Sequence, residues 1–404
     1  MPSDPAGLKV LHLIPSISAR RGGPSEAVLA MVAALREQGV QAAIVSTNDD
    51  GPGVLDLPLQ RWIDVRGVPV LLFPRWSPPL HGLREFALSV PLLRWLHRHL
   101  RDWDLLHVHA LFSFPSTAGM ALARRQRVPY LVRSIGQLNA WSLRQSAWRK
   151  WLFLALVERR NLEGAAALQA TSALEAADLA ALGLRAPVWA IPLGVALPPL
   201  NCAAARHALE CLDSRFRPGE PRLLFLGRLH PKKQLEVLVE ALALLSRRRP
   251  AQPWQLLIAG QGEPHYEREL RVLAERLGIQ HRLLWLGQVS GAPKQELLQG
   301  CDWFLLPSAA ENFAIAAAEA LAAGTPVVLS PQVGLAEAVQ AAGAGVVCEA
   351  NPADLAQCLE RILAADGQQT WQGARARRLA ESSFAWPAVA ERLIEAYRTL
   401  VPQP

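Results

Sequence analysis

Two basic side chains follow a short apolar run in the second half of the chain. The run RLLFLG ends at Gly227, and Arg228 and Lys233 come next in the segment RLHPKK. An arginine forms a fork of hydrogen bonds onto phosphate oxygens, and a lysine before a helix adds a point charge. The segment indicates a phosphate site, with Gly227 allowing close approach of the backbone. The alternative is that both cations are ordinary solvated charges.

Two glutamates with seven residues between them lie in the segment ENFAIAAAE. A helix is predicted to begin soon after Glu311 and to place Glu319 about two turns along, facing back towards the loop. Carboxylates at one rim suit sugar hydroxyls, because each carboxylate accepts directional O–H hydrogen bonds. Alternatively, Glu311 only caps the helix and Glu319 lies on a solvated face. Backbone amides at the predicted helix start add donors for an anion; they belong to Asn312, Phe313 and Ala314.

A third segment, IAGQGE, places Gly260 at the end of another apolar run. A glycine at this point indicates a tight turn near a ligand. With two glycines rather than three, the segment taken by itself favours a purely structural turn.

Two histidines in the first half, His107 and His109, end a predicted strand. They are two residues apart, so both side chains point to one face of the sheet. Metal binding by this pair and polar packing at the strand end both remain open, and His109 is a candidate for lining a ligand site. No wider cluster with metal-ligand spacing accompanies the pair, so we expect no bound metal.

The elements that must position these residues are predicted by an alternation of short apolar runs with amphipathic stretches. In the first half, KVLHLI is predicted to be a buried strand, the turn RGGP leads into a helix, and VQAAIVS is the next strand. The same alternation returns in the second half with RLLFLG and WQLLIA. This pattern is typical of α/β folds with a doubly wound parallel sheet, in which ligands bind at the carboxyl ends of the strands.

The charge distribution indicates an acidic partner, and the cysteine spacing argues against two kinds of small scaffold. The formal net charge is +7, and residues 1–200 carry 21 Lys and Arg against 14 Asp and Glu, while the remainder carries 21 of each. The first half is therefore expected to face an acidic partner. Five scattered cysteines without CxxC spacing argue against a disulfide framework and a structural zinc site. With no basic leader and no apolar run of about 18 residues, we expect a cytoplasmic protein without a membrane span.

Two stretches of the first half mix tryptophan with basic residues, LLRWLHRHLRDW at 92–103 and WSLRQSAWRKWL at 141–152. Such stretches can lie on an anionic bilayer, where tryptophan settles at the interface and cations meet headgroups. Alternatively, the tryptophan face of each helix belongs to the core. No nucleic-acid motif accompanies the basic residues, so nucleic acid is not an expected partner.

Four segments together, RGGPSEAV, GRLHPKK, IAGQGE and ENFAIAAAEALAAGTPVV, resemble the GT-B glycosyltransferases, specifically the retaining family-four type. The resemblance covers both halves, which the Pro-rich linker PLGVALPP separates. It implies two Rossmann-like, doubly wound parallel-sheet domains facing across a cleft. It also implies that residues 1–195 bind the acceptor, that 196–385 bind a nucleotide-sugar donor, and that 386–404 form a helix packing back on the first domain.

The resemblance implies a role for each motif residue. Arg228 and Lys233 would hold the donor diphosphate, and Glu311 would bind the transferred sugar. Glu319 would bind the nucleotide ribose, and the strand end near Val289 would lie by the base. Gly22 and Gly23 would form a loop that closes on the donor phosphates. The remaining expected donor-binding residues are Gly227, Gly260, Asn312, Phe313 and Ala314.

A mechanism is also implied by the resemblance. The acceptor hydroxyl would attack from the face that the nucleotide leaves, so the anomeric configuration is retained. The departing diphosphate would take the acceptor proton, and the protein would mainly stabilise charge on the β-phosphate. The expected catalytic residues are therefore Arg228, Lys233 and Glu311, without a covalent nucleophile and without a metal or other cofactor.

One position departs from the family pattern. Many relatives carry a histidine shortly after the strand that matches residues 128–133, and Ile135 stands there in this chain. An acceptor-side histidine contact is therefore in doubt at that place. Acceptor-side contacts are expected instead from His109, Arg133, Ser134 and Gln137.

The expected function is transfer of a hexose from a UDP- or GDP-linked sugar to a saccharide or lipid-linked acceptor in surface polysaccharide or glycolipid synthesis. One alternative is a non-catalytic scaffold that binds a nucleotide sugar or a membrane. Another is a GT-B phosphorylase or epimerase. Peripheral contact with the inner face of an anionic membrane is a further expectation, drawn from the basic first half.

Overall fold

The computed structural model describes residues 7–78, 84–139, 154–212, 215–364 and 368–401. The chain divides into two compact units, with the first boundary between Gly194 and Val195 and the second between Ala385 and Trp386. The segment after Ala385 belongs with the first part of the chain, and together they form the N-terminal unit. The residues from Val195 to Ala385 form the C-terminal unit.

The N-terminal unit is built on an eight-stranded sheet in the order β10-β9-β8-β7-β1-β2-β6-β5. All neighbours are parallel except β5 and β6, which are antiparallel. The strands are β1 (Lys9–Ser16), β2 (Gln41–Thr47), β5 (Trp62–Val65), β6 (Val68–Phe73), β7 (Leu105–His109), β8 (Tyr130–Arg133), β9 (Ala167–Ala170) and β10 (Val188–Ala190). Two short strands, β3 (Asp49–Asp50) and β4 (Gly53–Val54), form a separate ribbon.

The helices of the N-terminal unit begin at recognisable capping residues. The Ser113 and Ser172 side chains each accept a hydrogen bond from an amide in the first turn of the following helix, which satisfies donors that a helix start leaves open. The helices are α1 (Gly23–Glu37), α2 (Val90–His99), α3 (Phe114–Gln126), α4 (Arg159–Glu163) and α5 (Ala173–Ala180). The last helix of the chain (Trp386–Leu400) also belongs to this unit and packs against α1.

The two faces of the N-terminal sheet differ in chemistry. On one face, Leu11 and Leu13 of β1 join Leu106 and Val108 of β7 in an apolar core. The other face also carries buried polar residues among apolar ones, with His12 aligned beside His107 in the neighbouring strand. Both imidazoles are fully buried. A polar face that is buried needs partners from the elements that cover it.

The C-terminal unit contains a six-stranded, fully parallel sheet in the order β13-β12-β11-β14-β15-β16. The strands are β11 (Arg222–Leu226), β12 (Gln255–Ala259), β13 (Leu283–Gly287), β14 (Trp303–Leu306), β15 (Val327–Leu329) and β16 (Gly345–Val347). The helices are α6 (Cys202–Leu212), α7 (Leu235–Arg248), α8 (Pro264–Arg276), α9 (Gly291–Gly300), α10 (Ile315–Ala322), α11 (Ala336–Ala342), α12 (Pro352–Ala364) and α13 (Gln368–Leu379). The final helix of the N-terminal unit is therefore α14. The α/β class with two Rossmann-like parallel sheets is confirmed.

Helix α14 is tied to the polar face of the N-terminal sheet by one buried hydrogen bond. Tyr397 Oη lies 2.7 Å from His107 Nδ1, and both residues are 0% exposed. Burial raises the pKa of the Tyr397 phenol, so its proton stays in place at neutral pH. The bond therefore joins the two chain segments that make up the N-terminal unit.

We expect Tyr397→Phe to lower the free energy of unfolding by about 1–3 kcal/mol, because it leaves a buried imidazole nitrogen without its partner. Urea denaturation of the full-length protein measures this change. Glu395→Ala, at an exposed position on the same helix, is the control and should change the stability little. Equal stability of Tyr397→Phe and the unaltered protein would contradict the assigned bond.

Candidate functional site

The carboxyl edge of the C-terminal sheet is held together by backbone contacts at glycines. The Gly227 amide donates to the Ala259 carbonyl at 2.9 Å, and the Gly260 amide donates to the Gly287 carbonyl at 2.6 Å. A Cβ on Gly260 would lie 1.9 Å from the Gly227 carbonyl oxygen, and the φ angle of Gly260 is 145°. Only glycine fits at such an approach. The Gly260 contact therefore holds the loop after β11 against the IAGQGE turn, which is the loop after β12.

The loop after β11 carries three cations. Arg228 is exposed, and Lys232 and Lys233 lie in a short 3₁₀ turn, Pro231–Lys233, just before α7. The turn begins at His230, whose imidazole Nδ1 accepts a hydrogen bond from the Lys232 amide at 3.1 Å. Sequence reasoning singled out Arg228 and Lys233 but missed Lys232, although Lys232 is adjacent to Lys233 in the same turn.

The structure brings these cations to the first glutamate of the ENFAIAAAE segment. Lys233 Nζ lies 2.7 Å from Glu311 Oε1, and Lys232 Nζ lies 3.9 Å from the same oxygen. The Ala309 amide also donates to the Lys232 carbonyl at 2.9 Å, which ties the two loops through their backbones. The alternative that Glu311 only caps a helix is therefore wrong, because its carboxylate pairs with lysines of another loop.

The electrostatics of this cluster favour an anion. Burial lowers the pKa of Lys232, the positive charges of Lys233 and Arg228 act in the same direction, and only Glu311 opposes them. Two lysines thus lie beside one carboxylate, and Arg228 is close enough to act on Lys232, which leaves an excess of positive charge at the edge of the sheet. Such an excess at the carboxyl ends of parallel strands suits a phosphate or diphosphate.

The helix after Glu311 begins later than the sequence indicates. Helix α10 starts at Ile315, and Ala314 before it is left-handed with φ of 66°. The amides of Asn312 and Phe313 therefore precede the helix rather than forming its first turn, which corrects the expectation for them and for Ala314. Left-handed backbone at a residue other than glycine is strained, and such strain collects at ligand sites. The Phe313 ring packs edge-on against that of Phe384 at 5.5 Å.

Glu319 lies nearer the start of its helix than expected and is paired. It is the fifth residue of α10, so it stands just beyond the first turn rather than two turns along. Its Oε1 lies 2.6 Å from Lys294 Nζ of α9. The alternative of a solvated Glu319 is wrong. Sequence reasoning missed Lys294, since nothing in its neighbourhood distinguishes it from a surface lysine.

The remaining donor-side prediction in the C-terminal unit is Val289, near the end of β13. This strand ends at Gly287, and α9 begins at Gly291. Val289 is half-buried in the short loop between them. The Gly260–Gly287 bond places this loop next to the IAGQGE turn.

In the N-terminal unit, the loop with Gly22 and Gly23 is anchored by ion pairs. Arg21 makes a bidentate contact with Asp49, at 2.6 and 3.0 Å, and a second contact with Glu85 at 2.7 Å. The fully buried Arg75 also donates to Asp49. Gly22 follows with φ of 80°, and α1 begins at Gly23. The network fixes the backbone just before the start of α1.

The expected acceptor-side residues lie at the carboxyl ends of β7 and β8. His109 and Arg133 are the last residues of these strands and are register partners. Ser134 Oγ donates to Glu175 Oε1 at 2.9 Å, and Gln137 Oε1 accepts from the Leu111 amide at 2.5 Å. The structure therefore places all four predicted acceptor-side residues at this edge of the sheet: His109, Arg133, Ser134 and Gln137. Ile135 is half-buried, with a left-handed φ of 52°.

The predicted histidine pair, His107 and His109, has a third member in the structure, His12. His12 Nδ1 lies 3.0 Å from His109 Nε2, and potential ligand atoms of His12, His107 and His109 all lie within 4.8 Å of one another. Burial, reinforced by the charge of Arg133, lowers the pKa of His12 to about 3. Burial likewise lowers the pKa values of His107 and His109. All three rings are therefore neutral at physiological pH. Sequence reasoning missed His12, which becomes visible only when β1 pairs with β7.

The tryptophan-rich stretch at 92–103 is part of the core. Leu92, Leu96 and Leu100 are 0% exposed, and Trp95 packs 6.0 Å from the rings of both Trp62 and Phe73. Trp95 and Trp103 are partly buried against this core, which favours the alternative that the tryptophan face belongs to the core. Contact of this stretch with a bilayer stays a prediction. The stretch at 141–152 lies outside the described residues. Among the residues that are described, no helix has the length and apolar character needed to cross a membrane.

Comparison with known proteins gives a consistent result over both units. Residues 213–379 match the family profile described as glycosyl transferases group 1, and residues 22–194 match that of the glycosyl transferase 4-like domain. The D-inositol 3-phosphate glycosyltransferase of Thermomonospora curvata is 30% identical over 403 residues, covering 93% of this chain and 90% of the relative. That of Nocardia farcinica is 28% identical over 405 residues, covering 93% and 84%.

Two solved structures show a similar fold. Sucrose-phosphate synthase from Thermosynechococcus elongatus superposes with a TM-score of 0.76 at 22% identity, covering 97% of this chain and 99% of that one. Anabaena Alr3699/HepE in complex with UDP and glucose gives a TM-score of 0.70 at 20% identity, covering 97% and 100%.

The backbone contact at Gly260 leads to a testable expectation. Gly260→Ala should lower the free energy of unfolding of the C-terminal unit by about 2 kcal/mol or more, because the added methyl overlaps the Gly227 carbonyl. Gly278→Ala is the matched control: φ there is 73°, but no atom lies within 4 Å of the added Cβ. It should cost about 1 kcal/mol from backbone strain alone. Equal losses in the two variants, measured by urea denaturation, would contradict the assigned contact.

Proposed function

Because the chain belongs to the group 1 glycosyl transferases, with a glycosyl transferase 4-like first domain, we propose that it transfers a hexose from a nucleotide sugar with retention. The proposed donor is UDP- or GDP-linked, and the proposed acceptor is a saccharide or a lipid-linked saccharide in surface polysaccharide or glycolipid synthesis. The observation that carries this proposal is the contact of Lys233 with Glu311 beside Lys232 and Arg228. It joins anion-binding and hydroxyl-binding groups at one edge of the sheet.

The donor diphosphate is proposed to bind the cations that follow β11. A lysine ammonium has three N–H donors, so Lys233 can keep its bond to Glu311 and still donate to a phosphate oxygen. Arg228 is exposed at the same edge and can form a fork onto the diphosphate. These positive charges would stabilise the charge that grows on the leaving β-phosphate, which is the main requirement of the reaction.

The sugar and nucleoside are proposed to bind the glutamates. Glu311 would accept hydrogen bonds from hydroxyls of the transferred hexose, held in place by its lysine partners. Glu319 uses Oε1 for Lys294, and its second oxygen would accept from the ribose hydroxyls. The base would lie by Val289, and Gly22 and Gly23 would close on the phosphates.

The proposed chemistry needs no enzymic base. The acceptor hydroxyl would attack the anomeric carbon from the face that the nucleotide leaves, and its proton would pass to the departing diphosphate. No metal or cofactor is required in this scheme. UDP and UDP-glucose are the ligands described for the Anabaena structures of similar fold, which supports a nucleotide-sugar donor.

Loss of the lysine or the glutamate should separate an enzyme from a binding scaffold. Lys233→Ala and Glu311→Ala are each expected to lower the rate of hexose transfer or donor hydrolysis by about 100-fold or more. The first removes a positive charge that stabilises the leaving phosphate, and the second removes the carboxylate that positions the transferred hexose. Arg248→Ala and Glu275→Ala, at exposed positions of the same unit, are charge-matched controls. Unchanged turnover in both site variants would exclude the proposed roles.

A thermal-shift series with UDP- and GDP-sugars identifies the donor, because a ligand that binds the folded state raises the melting temperature. The shift should be reduced in Lys233→Ala and kept in Arg248→Ala. Binding without turnover would favour the scaffold, and turnover that requires inorganic phosphate would favour a phosphorylase.

Peripheral contact with an anionic membrane is proposed for the basic face of α2 and the turn after it, where Arg94, Arg98 and Arg101 are exposed. The full-length protein should sediment with phosphatidylglycerol vesicles more than with phosphatidylcholine vesicles, and less so at high salt. The double variant Arg94→Glu/Arg98→Glu should lose this binding, whereas Arg247→Glu/Arg248→Glu should keep it. Sedimentation that does not depend on anionic lipid would remove the proposal.

A further inference from the structure

A buried cation in the N-terminal unit has no partner in the proposed reaction. Arg133, the last residue of β8, is 1% exposed. Its Nε, Nη1 and Nη2 atoms have no hydrogen-bond partner among the residues that the structure describes. Burial lowers its pKa to about 10, so the guanidinium still carries its charge at neutral pH. A buried charge without hydrogen bonds is strongly unfavourable unless something offsets it, and a ligand is one such compensation.

The neighbouring carboxylate does not satisfy Arg133. Glu175 acts on the guanidinium only through its charge, without a hydrogen bond. Its oxygens accept from Ser134 Oγ at 2.9 Å and the Gly136 amide at 3.1 Å, and from the amide and hydroxyl of Thr171 at 2.8 and 2.6 Å. Glu175 therefore fixes the loop after β8 and leaves the donors of Arg133 for another acceptor.

A second unpaired donor lies on β7 or β1, the next two strands of the sheet after β8. His12 Nδ1 and His109 Nε2 share one proton in their 3.0 Å bond, so one of these nitrogens donates and the other accepts. Each neutral ring has one N–H, so one of the two remaining nitrogens, His12 Nε2 or His109 Nδ1, must carry a proton. Neither of these nitrogens has a hydrogen-bond partner within the described part of the chain. At least one imidazole N–H therefore accompanies the guanidinium on this face.

The backbone of the loops that follow β7 and β8 is strained. Ala110 and Phe112, after β7, have φ of 71° and 53°, and Ile135, after β8, has φ of 52°. None is a glycine, and Gln137 joins the two loops through its bond to the Leu111 amide. Strained backbone held in place by neighbouring bonds is typical of ligand sites.

We infer that Arg133, with an imidazole N–H of the His12–His109 pair, binds a phosphate group of the acceptor, so that the acceptor is a phosphorylated saccharide or a lipid phosphate. The inference rests on the proposed function in taking the N-terminal unit as the acceptor domain. A phosphate offers more oxygens than the two that an arginine fork satisfies, which suits the additional imidazole donor. A divalent cation on the three imidazoles is disfavoured, because the Arg133 charge adjoins all of them.

Phosphate binding is measured by calorimetry on the full-length Arg228→Ala/Lys233→Ala variant, which removes the donor-side cations and keeps this test independent of donor transfer. Inorganic phosphate should bind this variant, and the added change Arg133→Met should weaken binding at least tenfold. Arg125→Met, at an exposed position of α3, should have no effect. Arg133→Lys keeps the charge without the fork and should bind with intermediate affinity.

The melting temperature without ligand gives a second readout. Arg133→Met breaks no hydrogen bond with the described residues and removes an unpaired charge, so the melting temperature should stay equal or rise. A large fall would show that the arginine is structural and would overturn the inference. His109→Gln, which keeps a polar side chain, should also weaken phosphate binding.

Two further ligands distinguish the source of the phosphate. Binding of glucose 6-phosphate that depends on Arg133 supports a soluble phosphorylated sugar, and dependence seen only with phosphatidic acid vesicles supports a lipid phosphate. Phosphate binding that is equal in the background and in Arg133→Met overturns the inference. The inference is also overturned if the unaltered protein binds one equivalent of Zn²⁺ tightly and His109→Gln does not.

Discussion

The parallel direction of the strands is the constraint on which both candidate sites depend. Parallel strands joined by crossover helices all end at one edge of the sheet. In the C-terminal unit, β11 and β14 are neighbours, so the loop with Lys233 and the loop with Glu311 begin side by side. In the N-terminal unit, the same geometry places His109 beside Arg133. If these strands alternated in direction, the members of each pair would lie at opposite edges.

The sequence predicts best those elements whose burial is complete. Strands such as β11 and β12 are buried at every residue and stand out as apolar runs between turn signals. The alternation of strand and helix does not predict β5 and β6, because they are joined directly as an antiparallel pair. Pro69 in β6 also argues against an interior strand. Pro69 lies outside the ladder with β2, which begins at Val70, and its one register partner in the described strands is Asp64 of the edge strand β5.

Residue types at the site were predictable, but their partners were not. Motif spacing singles out Glu311 and Glu319, whereas the lysines that pair with them lie far away along the chain and meet them only in the folded sheet. Alanine strongly favours helix, so ENFAIAAAE predicts an early helix start. The left-handed Ala314 delays that start, and no propensity of alanine indicates it. The polar face around His12 was equally hidden, because an isolated strand shows one histidine and not its neighbours.

The place of helix α14 has a consequence for synthesis of the protein. The N-terminal unit begins to emerge from the ribosome first, but it contains Trp386–Leu400, a helix made only after the whole C-terminal unit. All of Val195–Ala385 is therefore translated while the first sheet still lacks the Tyr397 partner of His107. Domains generally fold as units during translation. In this chain the order is reversed: the domain whose residues are made second can finish folding first, and the first domain waits for the segment after Ala385.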